Sequence, residues 1–307
     1  MTDTLQIATL DREWRLEYRN RRYLEHQTSE QLQERFEDLF RNAYFCGRDG
    51  RIYSKGDDTK WVRWMSHVLE ELTLRMMRGP LLPKLTRYRN AARAAELWDK
   101  LKLNKNTYLL KFGESKYMRP LWEKGRLTVF PATKYDNPTL NEAIRDDELT
   151  LMQQSCRATI NSLQDWRTGI RHDFDRPVPI IGPLKQETRY ESNCYMACFG
   201  RRYEYRLFDD FGYDSCLVIR EPQLFVERIR ACMALAVPGW DFCAAAVSYR
   251  DPCHPTPTDD VLFSKHFRFT YQKEFRTVWE GPTRQGTLEP IPLDLGSLID
   301  YCDLLVL

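Results

Sequence analysis

Near its end the chain carries a short stretch, Phe263 to Trp279, in which a carboxylate sits between a neutral amide and a guanidinium: Gln272, Glu274 and Arg276. Lys265, with His266 beside it, lies a few positions earlier. An amide can hold an incoming polar group without adding a second negative charge, and a guanidinium or ammonium can meet a phosphate. The aromatics Phe263, Phe267, Phe269, Tyr271, Phe275 and Trp279 fall mostly on odd positions, so the stretch reads as a strand with an apolar back. On the other face, or in the turn leading to it, sit Lys265, Arg268, Gln272, Glu274 and Arg276; that face is either solvated or one wall of a pocket, and the pattern leaves both open.

The elements that would position such a face begin around Thr107, where a helical period gives way to short apolar runs bounded by turns. Before that point Leu32, Phe36, Leu39, Phe40 and Ala43 keep a 3.6-residue period behind a Thr28/Ser29 cap. Trp61, Met65, Val68, Leu69, Leu72 and Met76 mark a second amphipathic helix, stopped by Gly79-Pro80, and a third is expected from about Lys84 to Leu101. After it the order reads strand 107–112, helix 115–124, strand 127–132, then a turn at Asp136-Asn137-Pro138 and a short helix capped by Thr139 and Glu142. A long loop is expected from Gly169 to Tyr190, followed by strands 193–199 and 215–221, a helix 223–233, and a strand 243–250. The expectation is an α+β protein: a helical N-terminal subdomain, residues 1–104, on a split, mostly antiparallel β core, residues 105–307, whose two sheets frame a cleft.

Composition narrows the classes. Hydrophobic residues make up 42% of 307, enough for a sizeable core, and no run of about 18 apolar residues suits a membrane helix. The first residues have no apolar core of a signal sequence, so a cytoplasmic chain with no membrane partner is expected. Nine cysteines include no CxxC pair, and Cys156, Cys194, Cys198, Cys216 and Cys243, in or beside apolar stretches, read as reduced core residues. Cys243, Cys253, His254 and His266 fit no recognised zinc spacing, so no metal is expected. The net charge of +2 excludes a polycation, yet from Arg75 to Lys105 nine basic residues face only Glu96 and Asp99, with Tyr88 and Trp98 interleaved. That region is either the wet face of a helix or a surface that tracks a phosphate backbone while its aromatics stack on bases.

Four places in order, Lys111-Phe112, Tyr135-Asp136-Asn137-Pro138, Lys265-His266 and Gln272-Lys273-Glu274-Phe275-Arg276, make residues 107–280 resemble a bacterial family of AbiGi-like domains associated with phage defence. The chain departs from that pattern by having Phe112 in place of Tyr, Asp and Asn exchanged in the turn, and Gln272 where Glu is common. Gln272-x-Glu274 in turn resembles the closing motif of ADP-ribosyltransferases. That resemblance implies a mono-ADP-ribosyltransferase consuming NAD, a toxin or defence effector. Its acceptor would be nucleic acid or a nucleic-acid-associated protein, and it would have a possible neutralising partner protein. Breaking the nicotinamide glycosidic bond passes through a cationic sugar, so Glu274 would stabilise charge present only in the transition state. Gln272 would hold the acceptor. Lys111, Lys265 or Arg276 would meet the cofactor, and Tyr135 would stack on its nicotinamide. Two other readings stand beside it. One is a metal-dependent nuclease drawing on Lys265, Asp259, Asp260 and Glu274. The other is a non-enzymatic sensor or binding protein, which requires Glu274 to be buried in an ion pair.

Overall fold

The protein is described by a computed structural model, covering residues 2–55, 59–83, 87–103, 107–155, 159–165, 167–180, 182–254 and 260–307. Its helices and mostly antiparallel sheets make it a mixed α+β chain. The helices are α1 (Thr2–Arg21), α2 (Ser29–Ala43), α3 (Thr59–Leu74), α4 (Ala91–Lys100), α5 (Ser115–Lys124), α6 (Leu207–Phe211) and α7 (Pro222–Ala236). The eight strands of the central sheet are β1 (Leu109–Gly113), β2 (Arg126–Pro131), β3 (Tyr195–Gly200), β4 (Ser215–Ile219), β5 (Asp241–Ala246), β6 (Glu274–Glu280), β7 (Ile291–Asp294) and β8 (Cys302–Val306).

These strands run β5-β6-β3-β1-β4-β8, every pairing antiparallel. The apolar run of β4 is buried throughout its length, as a central strand with both faces covered should be. The decisive feature is one edge of β3. At one end Gly200 pairs with Leu110 of β1; at the other, Met196 and Tyr195 pair with Phe130 and Pro131 of β2. β7 continues the second branch by pairing with β2. The sheet therefore divides at β3, and β1 and β2 diverge from a shared neighbour. Helix α5 joins the two branches and ends at Gly125, whose φ of 70° and whose closeness to the Gly296 carbonyl, 2.1 Å from where a Cβ would stand, leave room for glycine alone.

Helix α7 closes one face of the sheet through Phe225, Ile229 and Met233, spaced one helical turn apart, against Phe199, Leu217 and Trp279. At the N-terminal end Thr28 and Gln31 form a reciprocal capping box that starts α2. Leu24, Leu32, Leu39, Trp61 and Val68 of the helical region pack together with Phe267, a residue of the closing stretch. Arg35 of α2 also binds Asp251 at two points, 2.8 and 2.6 Å, so the helices are tied to the β core by both an aromatic plug and a buried ion pair.

Several elements differ from the sequence expectation. The stretch Phe263 to Trp279 is not one strand. It comprises a 3-10 turn at Val261–Phe263, a short strand Ser264–His266, a 3-10 helix Phe267–Gln272, and then β6, with Lys273 at a φ of 46° between them. Its alternate aromatics go to different cores: Phe267 enters the helical cluster, whereas Tyr271 lies under the Arg206 guanidinium at 4.3 Å. No helix follows Thr139; its N–H donates to Asn137 Oδ1 at 3.0 Å, and a succession of turns runs on to the next strand. The stretch Gly169–Tyr190 is not a loop. Arg171–Pro179 and Leu184–Arg189 are strands paired with Thr159–Gln164 and Thr150–Ser155 in two-stranded ribbons. Gly47 to Gly50 lies in a hairpin joining Tyr44–Cys46 to Ile52–Ser54, and α4 starts at Ala91, while Lys84 lies outside the described residues. Trp98 of α4 stacks on Tyr203 at 3.9 Å and the Arg206 guanidinium lies over the Tyr88 ring at 5.4 Å, so both half-buried rings already have a partner within the chain.

Candidate functional site

The gap between the two branches holds a cavity of about 860 Å³, lined by aromatics such as Phe112, Tyr117, Phe130 and Tyr213 and continuous in its lining with a smaller pocket of about 140 Å³. The two share Lys111, Phe112, Tyr135, Ile144 and Tyr213. Around the smaller pocket the fold gathers five of the six residues singled out from sequence: Lys111, Tyr135, Lys265, Gln272 and Glu274. Arg276 is not among them; it lies behind Glu274 with no exposed surface.

Each arrives from a different element. Glu274 opens β6, with its backbone N–H donating to the Tyr249 hydroxyl at 2.7 Å. Gln272 ends the 3-10 helix, so the left-handed Lys273, not a strand repeat, sets the relation between the amide and the acid. The Gln272 amide donates to the Ala143 carbonyl at 2.6 Å. Lys265 comes from the short strand before that helix. Tyr135 comes from the turn after β2, its hydroxyl 3.5 Å from the Met196 carbonyl.

Glu274 does not look into an open crevice. It is 6% exposed and locked into a ring of alternating charge. Lys265 Nζ donates to Glu274 Oε2 at 3.1 Å and to Glu148 Oε1 at 3.2 Å. Arg276 joins the same two acids, with Nε at 2.9 Å from Glu274 Oε1 and Nη2 at 2.6 Å from Glu148 Oε2, while Nη1 donates to the Leu262 carbonyl at 2.6 Å. Burial alone would raise the Glu274 carboxyl; Arg276 and Lys265 outweigh it and hold it well below the usual carboxylate range. Burial likewise opposes the charge on Lys265, and Glu148 and Glu274 reverse that, raising the ammonium. Asp146, 4.0 Å from Lys265 at the edge of the ring, is pushed up to about 6 by burial and by Glu148. Two acids and two cations thus cancel in the interior, where an unpaired charge is costly.

Lys111 is the cation left over. Its side chain, on β1 at the division of the sheet, reaches only the Cys198 carbonyl at 3.5 Å and the face of Phe199 at 5.3 Å, and no carboxylate of the described residues lies within ion-pair distance. Burial pushes its pKa down. It stands on the wall common to the small pocket and the large cavity.

His266 faces away from this chemistry. Its Nδ1 accepts the Arg268 N–H at 3.2 Å, and burial drives its pKa down to about 3, so it caps the 3-10 helix as a neutral ring. Asp260 caps the turn before it by accepting the Leu262 N–H at 2.9 Å, and Asp259 lies outside the described residues. Among the described residues no group of three or more His, Cys, Asp or Glu is placed to hold a metal ion, and Cys243 is exposed where a core position was expected, while Cys156 lies outside them. Glu148 went unnoticed in the sequence. It ends the polar run Asp146-Asp147-Glu148, and its only signal is the apolar alternation Leu149, Leu151 that follows at once.

No protein-family model matches the sequence, and neither a curated protein nor a solved structure matches the chain.

Proposed function

We propose that the cleft where the sheet divides binds a nucleotide-type ligand, with NAD the first candidate, and that the chain works through this binding as a sensor-type protein. The observation that carries the reading is Lys111: a desolvated ammonium with no acid of the described residues within ion-pair distance, on the wall of a cavity large enough for a cofactor and walled by aromatic rings. A ligand that brings an anionic group to Lys111 and a planar ring to Tyr135, Tyr117 or Tyr213 would satisfy both the charge and the rings. Arg126 and Lys134 add cations to the lining, against Glu114 and Asp294. The double-bridged Glu274 supports binding over catalysis, because a carboxylate already shared by two cations has little charge to offer a developing sugar cation. Calorimetric titration of NAD, ADP-ribose and ATP into the protein tests the reading. Saturable binding weakened by Lys111→Met is expected; heat no different from dilution for all three would overturn it.

A second reading, the mono-ADP-ribosyltransferase, is favoured by one observation: Lys111, Tyr135, Lys265, Gln272 and Glu274, taken from four separate stretches, line a single pocket. For that chemistry Glu274 must exchange Lys265 or Arg276 for the ribose when the ligand enters, and Gln272 must release the Ala143 carbonyl. Incubation with labelled NAD and total RNA, DNA or lysate would show transfer, abolished in Glu274→Gln. The AbiGi-like motif order supports a place in phage defence, read out by plaque counts in cells carrying wild-type or Lys111→Met protein.

A further inference from the structure

A second cavity, of about 560 Å³, shares Lys265 with the small pocket but is otherwise built from other parts of the chain: α2, the Asp146 segment and residues between Arg250 and Arg268. Its charged lining is Glu34, Asp38, Asp146 and Asp147 against Arg35, Arg250, Lys265 and Arg268. Two of the four cations are already spent. Arg35 is bound at two points by Asp251, and Lys265 by Glu148 and Glu274. A third, Arg268, lies over the Phe269 ring at 4.5 Å.

The decisive side chain is Asp38. It is 6% exposed, on α2, and no hydrogen bond or ion pair reaches its carboxylate among the described residues. Burial raises it to about 7, against the opposing pull of Arg41, Arg268 and Arg35. Its oxygens are not among the fully enclosed atoms without a partner, so the carboxylate opens on the cavity, where an entering donor could reach it. Asp146 stands on the same wall, its nearest cation the Lys265 that two glutamates already hold. A metal ion does not suit the site, since no set of three donors converges among the described residues. Leu151, Met152 and Phe267 supply an apolar side to the same cavity.

We infer that this cavity is a binding site for a small organic cation, an alkylguanidinium or alkylammonium whose head sits on Asp38 and Asp146 while its methylene stem lies along Leu151, Met152 and Phe267. Such a ligand supplies the donors that Asp38 lacks and buries its stem against apolar surface. The inference does not depend on what the cleft between β1 and β2 binds.

Agmatine, with a guanidinium and an ammonium on a four-carbon stem, is the probe, titrated by calorimetry at pH 8 and constant ionic strength. Saturable binding is expected to wild-type protein. Loss of one charge-assisted partner in Asp38→Asn or Asp146→Asn should weaken it at least about tenfold, while the neutral analogue butylurea should not bind. The exposed Asp147→Asn variant, whose folding is not in question, should weaken it about threefold. Agmatine heats no larger than those of sodium chloride, or unchanged affinity in all three variants, would overturn the inference.

Discussion

Replacing Glu274 by Gln removes one corner of the buried ring and leaves Lys265 and Arg276 to share Glu148, with Asp146 4.0 Å from Lys265 as the only other acid of the described residues at the ring. Both cations remain buried, Arg276 completely, so the cost is that of an uncompensated interior charge, about 3–5 kcal/mol. That is a large part of the roughly 5–15 kcal/mol by which folded domains are stable. Lys111→Met is the contrasting case. It deletes a cation that meets no acid among the described residues and whose charge burial opposes, so the change should lie within about 1 kcal/mol of neutral, or stabilise. Urea unfolding at pH 7.5, followed by tryptophan fluorescence and circular dichroism, measures both. The pH dependence adds a second check. Because the folded carboxyl is held below its unfolded value, its stabilisation is fully present above the ordinary carboxylate range and is lost as pH falls from that range toward the lower folded value. Glu274→Gln should therefore lose less stability than wild type over that acid limb. A variant as stable as wild type to within about 0.5 kcal/mol at neutral pH, with an unchanged acid limb, would refute the ring as the interior support of the cleft.

Asp38 should behave in the opposite sense: its folded pKa is raised to about 7, so stability falls as pH rises from the unfolded carboxylate range through 7. Asp38→Asn should abolish that decline in thermal melts between pH 5 and 8 and be the more stable form at pH 8, by roughly 4 kcal/mol at most. Trp98→Ala should lower stability by about 3 kcal/mol, because the ring packs on Tyr203 and Tyr108, while leaving affinity for single-stranded RNA in gel-shift assays unchanged.

The strands at the division were readable because their apolar runs are short and bounded by turns: 107–112 and 127–132 correspond to β1 and β2, and helix 115–124 was placed to the residue. The ribbons at 150–189 were not readable, since most of their described side chains past Ser155 are exposed and no face has to be apolar. The closing stretch misled for a different reason. Its alternating aromatics mimic a strand, and the left-handed Lys273 that breaks it is not a glycine and leaves no mark in composition. Lys111, Tyr135 and Glu274 could be picked by type and order, but the charge balance between them could not, because Glu148 enters from a polar run that looks like solvent-facing loop.

The most direct measurement is the affinity of NAD for wild-type protein and for Lys111→Met, compared by calorimetry at one ionic strength. Saturable binding to the wild type and at least tenfold weaker binding to a variant that folds as stably are the expected pair. Equal affinity in both, or none in either for NAD, ADP-ribose and ATP, would contradict a nucleotide site at the division of the sheet.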